Sequence, residues 1–218
     1  MRVRRFSLVL FVALAALVLA NTAFANSVTM TYVGHQGATA IDGSPYIGYP
    51  YYFSINGSTN YTPLMCDSFD NNVNLGQTFT ATVSPFLQGI AGSLFGSSMA
   101  LDYRAAGLIF KSMLAGALDR AQAQWAIWGL FSTNAQNNSF FTTIGGASID
   151  ATYLALAQTA PNSAYNGLLL YTPLGAKAGM GPQEYIGYSA VPEPTSLTLF
   201  GTGLIALAGI VRRKVLKV

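Results

Sequence analysis

Polar and apolar residues alternate from Ser27 to Val33 (SVTMTYV) and again from Gln77 to Val83 (QTFTATV). A period of two sends alternate side chains to one face, the pattern of a half-buried strand. Between them, Tyr49 to Ile55 is an aromatic-rich run closed by Asn56 and Gly57, a pair that tolerates the positive φ of a tight hairpin turn. Asn71, Asn72 and Gly76 mark a further turn, so the chain up to Pro85 is expected to be β-rich. The period then changes. Ala106, Ile109, Phe110, Met113 and Leu114 recur at helical spacing, with Asp102, Arg104 and Lys111 off that stripe. Gly116 interrupts. Asp119 stands three residues before Gln122, the spacing of a capping box, and predicts a second helix through Trp125, Ile127 and Trp128 to about Phe131. Asn134 to Asn138 reads as a polar loop, and Ile149 to Thr159 as a shorter helix stopped by Pro161. Leu168 to Tyr171 and Glu184 to Tyr188 read as late strands joined by a flexible Gly-rich link. Strands, then helices, then strands without internal repeats predict an α+β fold.

Two apolar stretches fit neither period. Arg2, Arg4 and Arg5 precede a run of Leu, Val and Ala from Phe6 to Ala20, and Ala23, Phe24 and Ala25 form a small-x-small site. These are the parts of a secretory signal spanning residues 1–25, with signal peptidase as the implied partner. At the other end, Leu197 to Val211 is apolar or small, and Thr195 and Ser196 extend it to 195–211. That reaches the lower limit of the ~17–25 residues a membrane span needs. Arg212, Arg213 and Lys214 would hold its end on the cytoplasmic side of the membrane. Pro192 and Pro194 cannot continue a helix, so Val191 to Pro194 is an extended joint of the kind a protease grips. The expected organisation is a leader over 1–25, one extracellular domain over 26–190 and a tail over 191–218.

Removing the ends inverts the charge. Residues 26–190 hold Arg104, Lys111, Arg120 and Lys177 against Asp42, Asp67, Asp70, Asp102, Asp119, Asp150 and Glu184, a net charge of −3. The whole-chain isoelectric point near 9.0 therefore belongs to the two terminal segments. No basic patch remains to neutralise phosphates, which argues against a nucleic-acid partner. Asn56, Asn60 and Asn137 open three glycosylation-type tripeptides, a weak signal by themselves.

Cys66 is the only cysteine and His35 the only histidine. An exported chain with one cysteine pairs it with another chain, leaves it free, or uses it chemically. One Cys and one His cannot complete a zinc site, and no protease-like signature surrounds Cys66 for a dyad with His35. Asp67, Asp70, Asn71 and Asn72 lack calcium-loop spacing. A hydrolase would need paired carboxylates, for which Asp67 and Asp70 are the nearest candidates. Neither cofactor nor metal is expected.

Two parts of the chain resemble known families. Val191, Pro192, Glu193 and Pro194, followed by the short apolar span and by Arg212, Arg213 and Lys214, resemble the PEP-CTERM sorting signal. That resemblance implies cleavage by exosortase, a membrane-embedded protease of Gram-negative bacteria that make exopolysaccharide. The domain is similar to the thioester domains of bacterial surface adhesins at three places: Met65-Cys66-Asp67, the helix segment Gln124 to Trp128 (QWAIW), and Gln183 with Ile186 three residues on. Met65, Ala123 and Pro182 stand where those domains usually have an aromatic or Leu, a Thr and an apolar residue. The resemblance implies that the Cys66 thiolate attacks the Gln183 carboxamide to leave an internal thioester. Gln124 would support the site, and Trp128 shares its helical face one turn on. Trp125, Trp128, Phe69 and Tyr185 are available to shield the bond from water, and Gln158 is an alternative acyl donor. The expectation is a non-enzymatic exported protein, transiently membrane-anchored and released to the surface or exopolysaccharide matrix of a biofilm. The alternative is a covalent adhesin for an amine-bearing surface.

Overall fold

The computed structural model describes residues 26–35 and 46–189. The expected leader, the sorting residues Val191, Pro192, Glu193, Pro194, Arg212, Arg213 and Lys214, and the expected span over 195–211 lie outside these residues. The chain divides into two units, residues 1–188 and 189–218.

The first unit is built on six antiparallel strands: β1 (Asn26–Gly34), β2 (Tyr51–Ile55), β3 (Thr62–Cys66), β4 (Thr78–Pro85), β5 (Leu168–Pro173) and β6 (Tyr185–Tyr188). They close into a barrel in the order β1-β2-β3-β6-β5-β4. Among the described residues, closure leaves no exposed strand edge to template association. The late strands are inserted between β3 and β4, and this insertion sets the end of β3 beside the start of β6. The Asn56-Gly57 turn adopts positive φ at both residues, +52° and +76°, as the hairpin between β2 and β3 requires. β3 gave no strand signal in the sequence, because Pro63 breaks its alternation. Pro63 is exposed and lies opposite Tyr52 in the ladder.

Alternation divides the barrel's side chains between two apolar clusters. Met30, Tyr32, Tyr51, Phe53, Leu64, Cys66, Tyr171 and Tyr185 belong to one, together with Trp125 and Trp128. Rings from three different strands meet there, Phe53 with Tyr185 at 4.7 Å and Tyr32 with Phe53 at 5.3 Å between centroids. Met65, Leu168, Leu170 and Ile186 face the other way and pack on the helices.

Helical residues follow β4: a short α1 (Phe86–Gly89), then α2 (Ala100–Leu114), α3 (Arg120–Phe131), α4 (Thr133–Gln136), α5 (Ser139–Thr143) and α6 (Gly146–Thr159). The stripe of α2 is buried at Ala106, Ile109, Phe110 and Met113, but Leu114 is 42% exposed because the helix ends there ahead of Gly116. Arg104 and Lys111, off the stripe, cap other elements instead of facing solvent alone. Arg104 Nε donates to Ala157 O at 3.1 Å, and Lys111 Nζ to Ala164 O at 2.8 Å. Both neutralise carbonyls at or just beyond the end of α6. The capping box of α3 forms, with Gln122 N donating to Asp119 Oδ1 at 2.7 Å. The stretch from Asn134 to Asn138, expected as a loop, is instead α4 and the cap of α5. Ser132 and Asn138 side chains accept from Ala135 N and Phe140 N, which starts each short helix. Among the described residues no helix is long and apolar enough to cross a membrane.

Candidate functional site

Cys66 is the last residue of β3, fully buried, and lies opposite Tyr185 in the ladder with β6. Pairing continues past the strand: Asp67 N donates to Glu184 O at 3.2 Å, and Glu184 N to Ser68 Oγ at 2.8 Å. The residue before Glu184 is Gln183, 7% exposed. One acceptor then serves both candidate groups. Ser68 O receives Cys66 Sγ at 3.7 Å and Gln183 Nε2 at 3.4 Å.

Helix α3 approaches from the other side. Gln124 Nε2 donates to Cys66 O at 2.6 Å, and Trp128 Nε1 donates to Cys66 Sγ at 3.4 Å. The one-turn spacing of these two residues brings both to the same cysteine. Gln124 Oε1 is buried without a hydrogen-bond partner, an acceptor left open beside the site. Trp125 and Trp128 pack edge to face at 5.1 Å, with Phe69 5.2 Å from Trp128 and Tyr46 5.3 Å from Trp125. These rings exclude water from the thiol.

Gln183 is placed by Asn71, which the sequence marks only as a turn residue. Asn71 Nδ2 donates to Lys177 O at 2.9 Å, Gly181 O at 3.2 Å and Pro182 O at 3.3 Å, while its Oδ1 accepts from Gly179 N at 2.9 Å. The link expected to be flexible is therefore a pinned turn, closed further by Lys177 and Met180 bonding each other's backbone. A turn-forming Asn is an ordinary sequence feature, and nothing local marks a partner more than a hundred positions away.

Burial pushes the Cys66 thiol up to about 12, and the nearby Asp67 adds to this. The Trp128 and Ser68 hydrogen bonds oppose the shift without overcoming it. At neutral pH the sulfur therefore keeps its proton.

The opposite face of the same two segments carries a buried carboxyl pair. Glu184 accepts from Tyr103 Oη, Thr172 Oγ1 and Leu94 N, the last at 2.9 Å. Asp67 is fully buried and neither of its oxygens meets a donor. Burial and the neighbouring Glu184 raise Asp67 well above the usual carboxylate range. Two adjacent carboxyls attract only when one holds a proton. Burial raises Glu184 too, but three donors stabilise its charge and none reaches the Asp67 oxygens, so the pair's proton sits on Asp67.

The other candidates separate. Asp70, offered as Asp67's acid partner, is exposed and accepts from Asn134 Nδ2 at 2.8 Å. The two aspartates thus belong to different environments, since successive turns carry Asp70 outward while strand pairing buries Asp67. His35 Nδ1 lies 3.3 Å from Tyr32 Oη. Gln158 is exposed on α6. Among the described residues no group of three or more His, Cys, Asp or Glu is arranged to hold a metal ion.

Compared with known proteins, residues 190–214 match the PEP-CTERM protein-sorting motif. No curated protein matches the chain. No solved structure matches it either. The matched motif supports a PEP-CTERM protein, exported and sorted at the membrane to the cell surface, with exosortase as its processing partner. Similarity to thioester domains finds no support in these comparisons.

Proposed function

We propose that this is a non-enzymatic surface protein, cut near Pro192, Glu193 and Pro194 by exosortase, whose domain carries an internal Cys66–Gln183 thioester for covalent attachment. The observation behind this reading is the shared Ser68 carbonyl, which has the thiol and the carboxamide as neighbours. Trp128 and Gln124 hold the same cysteine from α3. In the step that forms the bond, Cys66 Sγ attacks Gln183 Cδ, the C–N bond breaks, and the thiol proton leaves on the nitrogen as ammonia. An amine then opens the thioester: its nitrogen bonds to Cδ, the C–S bond breaks, and one amine proton passes to the departing sulfur. The product is an amide joining this chain to an amine-bearing surface, with no turnover. Once released by exosortase, the domain associates with the exopolysaccharide layer.

The mass of the purified protein tests this. The protein is expected to be lighter than its sequence by one ammonia, and Cys66→Ala and Gln183→Ala should each remove that deficit. A purified protein of full mass would refute the covalent part. Persistence of residues 192–218 on the protein in an exosortase-competent host would refute the sorting part.

A further inference from the structure

Gln183 lies two residues before Tyr185, the first residue of β6, and the pairing that continues through Glu184 puts both side chains on one face. Tyr185 is fully buried, and its hydroxyl lies 2.8 Å from Gln183 Oε1. The orientation of the carboxamide follows from its other neighbour. Ser68 O is a backbone carbonyl and can only accept, so the NH2 end must face it and the oxygen must face Tyr185. The tyrosine is thus the donor. Its ring is braced by Phe53 at 4.7 Å and by Tyr51 at 5.6 Å, which fixes the hydroxyl before any reaction begins.

We propose that Tyr185 is a catalytic residue of this site, a preorganised hydrogen-bond donor to the Gln183 carbonyl oxygen as that oxygen becomes an oxyanion. This rests on the internal-thioester reading and adds the group that drives it. When Sγ bonds to Cδ, the carbonyl electron pair moves onto Oε1, where the Tyr185 O–H receives it. Collapse restores C=O and expels the nitrogen, which carries away the thiol proton as ammonia. Attack by an amine on the finished thioester places charge on the same oxygen again, so one donor serves both steps. A fixed donor in a water-excluded site is far more effective than water, because nothing has to reorient. Burial and the surrounding Cys66, Tyr51, Tyr32 and Asp67 raise the hydroxyl's pKa well above its ordinary value, which keeps its proton in place.

The test is Tyr185→Phe in the full chain, which keeps the ring and deletes the donor. Two quantities are read: the fraction of protein lacking ammonia at intervals after a synthesis pulse, and the rate of methylamine incorporation. Both are expected to fall roughly 100-fold or more, the usual effect of deleting one oxyanion donor. Tyr165→Phe is the control, since Tyr165 stacks on Phe86 in the helix-side cluster and its buried hydroxyl has no hydrogen-bond partner; its rates should match the wild type. If Tyr185→Phe does not fold, fluorotyrosine at position 185 keeps the shape and strengthens the donor, and both rates should rise with hydroxyl acidity. Wild-type rates in Tyr185→Phe, or rates indifferent to fluorination, would overturn the role of Tyr185 and leave the thioester standing. A wild-type protein of full mass would overturn both.

Discussion

Replacing Asp67 by Asn isolates the buried carboxyl pair. Asp67 is protonated in the native state and ionised in the unfolded chain above about pH 4. Its folded pKa is raised, so its contribution to stability is fully present below the unfolded value. That contribution is lost as pH climbs toward the folded value. Each pH unit inside that window costs the native state about 1.4 kcal/mol. Against a typical total of about 5–15 kcal/mol, this is a large share. Asparagine titrates in neither state and has nearly the shape of the neutral acid. Asp67→Asn should therefore be close to neutral near pH 4 and gain on the wild type by about 1.4 kcal/mol per pH unit above it. Asp150, pushed up to about 8 by burial and by Asp102, titrates in both proteins and cancels. Urea unfolding followed by the fluorescence of Trp125 and Trp128, repeated across that range, measures the difference. Parallel stability curves for the two proteins would refute the assignment of the proton to Asp67. Glu184→Gln should lose stability instead, because it removes one of the two oxygens that three buried donors serve.

Gly129→Ala should lower the thermal midpoint, costing about 1–3 kcal/mol as overpacking does. A Cβ there would stand 2.2 Å from Phe141 Cε2 and 2.8 Å from Asp150 Oδ2. Asp119→Ala deletes the capping box of α3 and should cost ~1 kcal/mol in chemical denaturation, with no change in ammonia loss unless the helix shifts. In a Gln183→Ala background the thiol of Cys66 should resist iodoacetamide at neutral pH and react fully on unfolding. Burial keeps it protonated and covered, and rapid labelling of the folded protein would contradict that.

Much of the local structure was legible in the chain. The alternation before Val33 and before Val83 marks β1 and β4, and Asp119 with Gln122 marks the start of α3. The Gln124–Trp128 spacing identified two groups that do meet Cys66, because one helical turn guarantees a common face. Periodicity, capping and turn chemistry depend on neighbours a few positions apart, so one sequence suffices to read them. Barrel closure does not depend on such neighbours. The pairing of Cys66 with Tyr185 spans 119 positions, and no local pattern specifies which strand edge accepts β6. The same applies to Asn71 gripping the turn at Lys177 to Pro182, and to the burial of Asp67 close to Glu184. Alone, each of these residues is an ordinary polar side chain; tertiary packing removes water and sets the partner. The sequence by itself determined β1, β4, the longer helices and the sorting motif at 190–214. Only the tertiary structure decided that thiol and carboxamide share one carbonyl, since that proximity comes from inserting β6 beside β3.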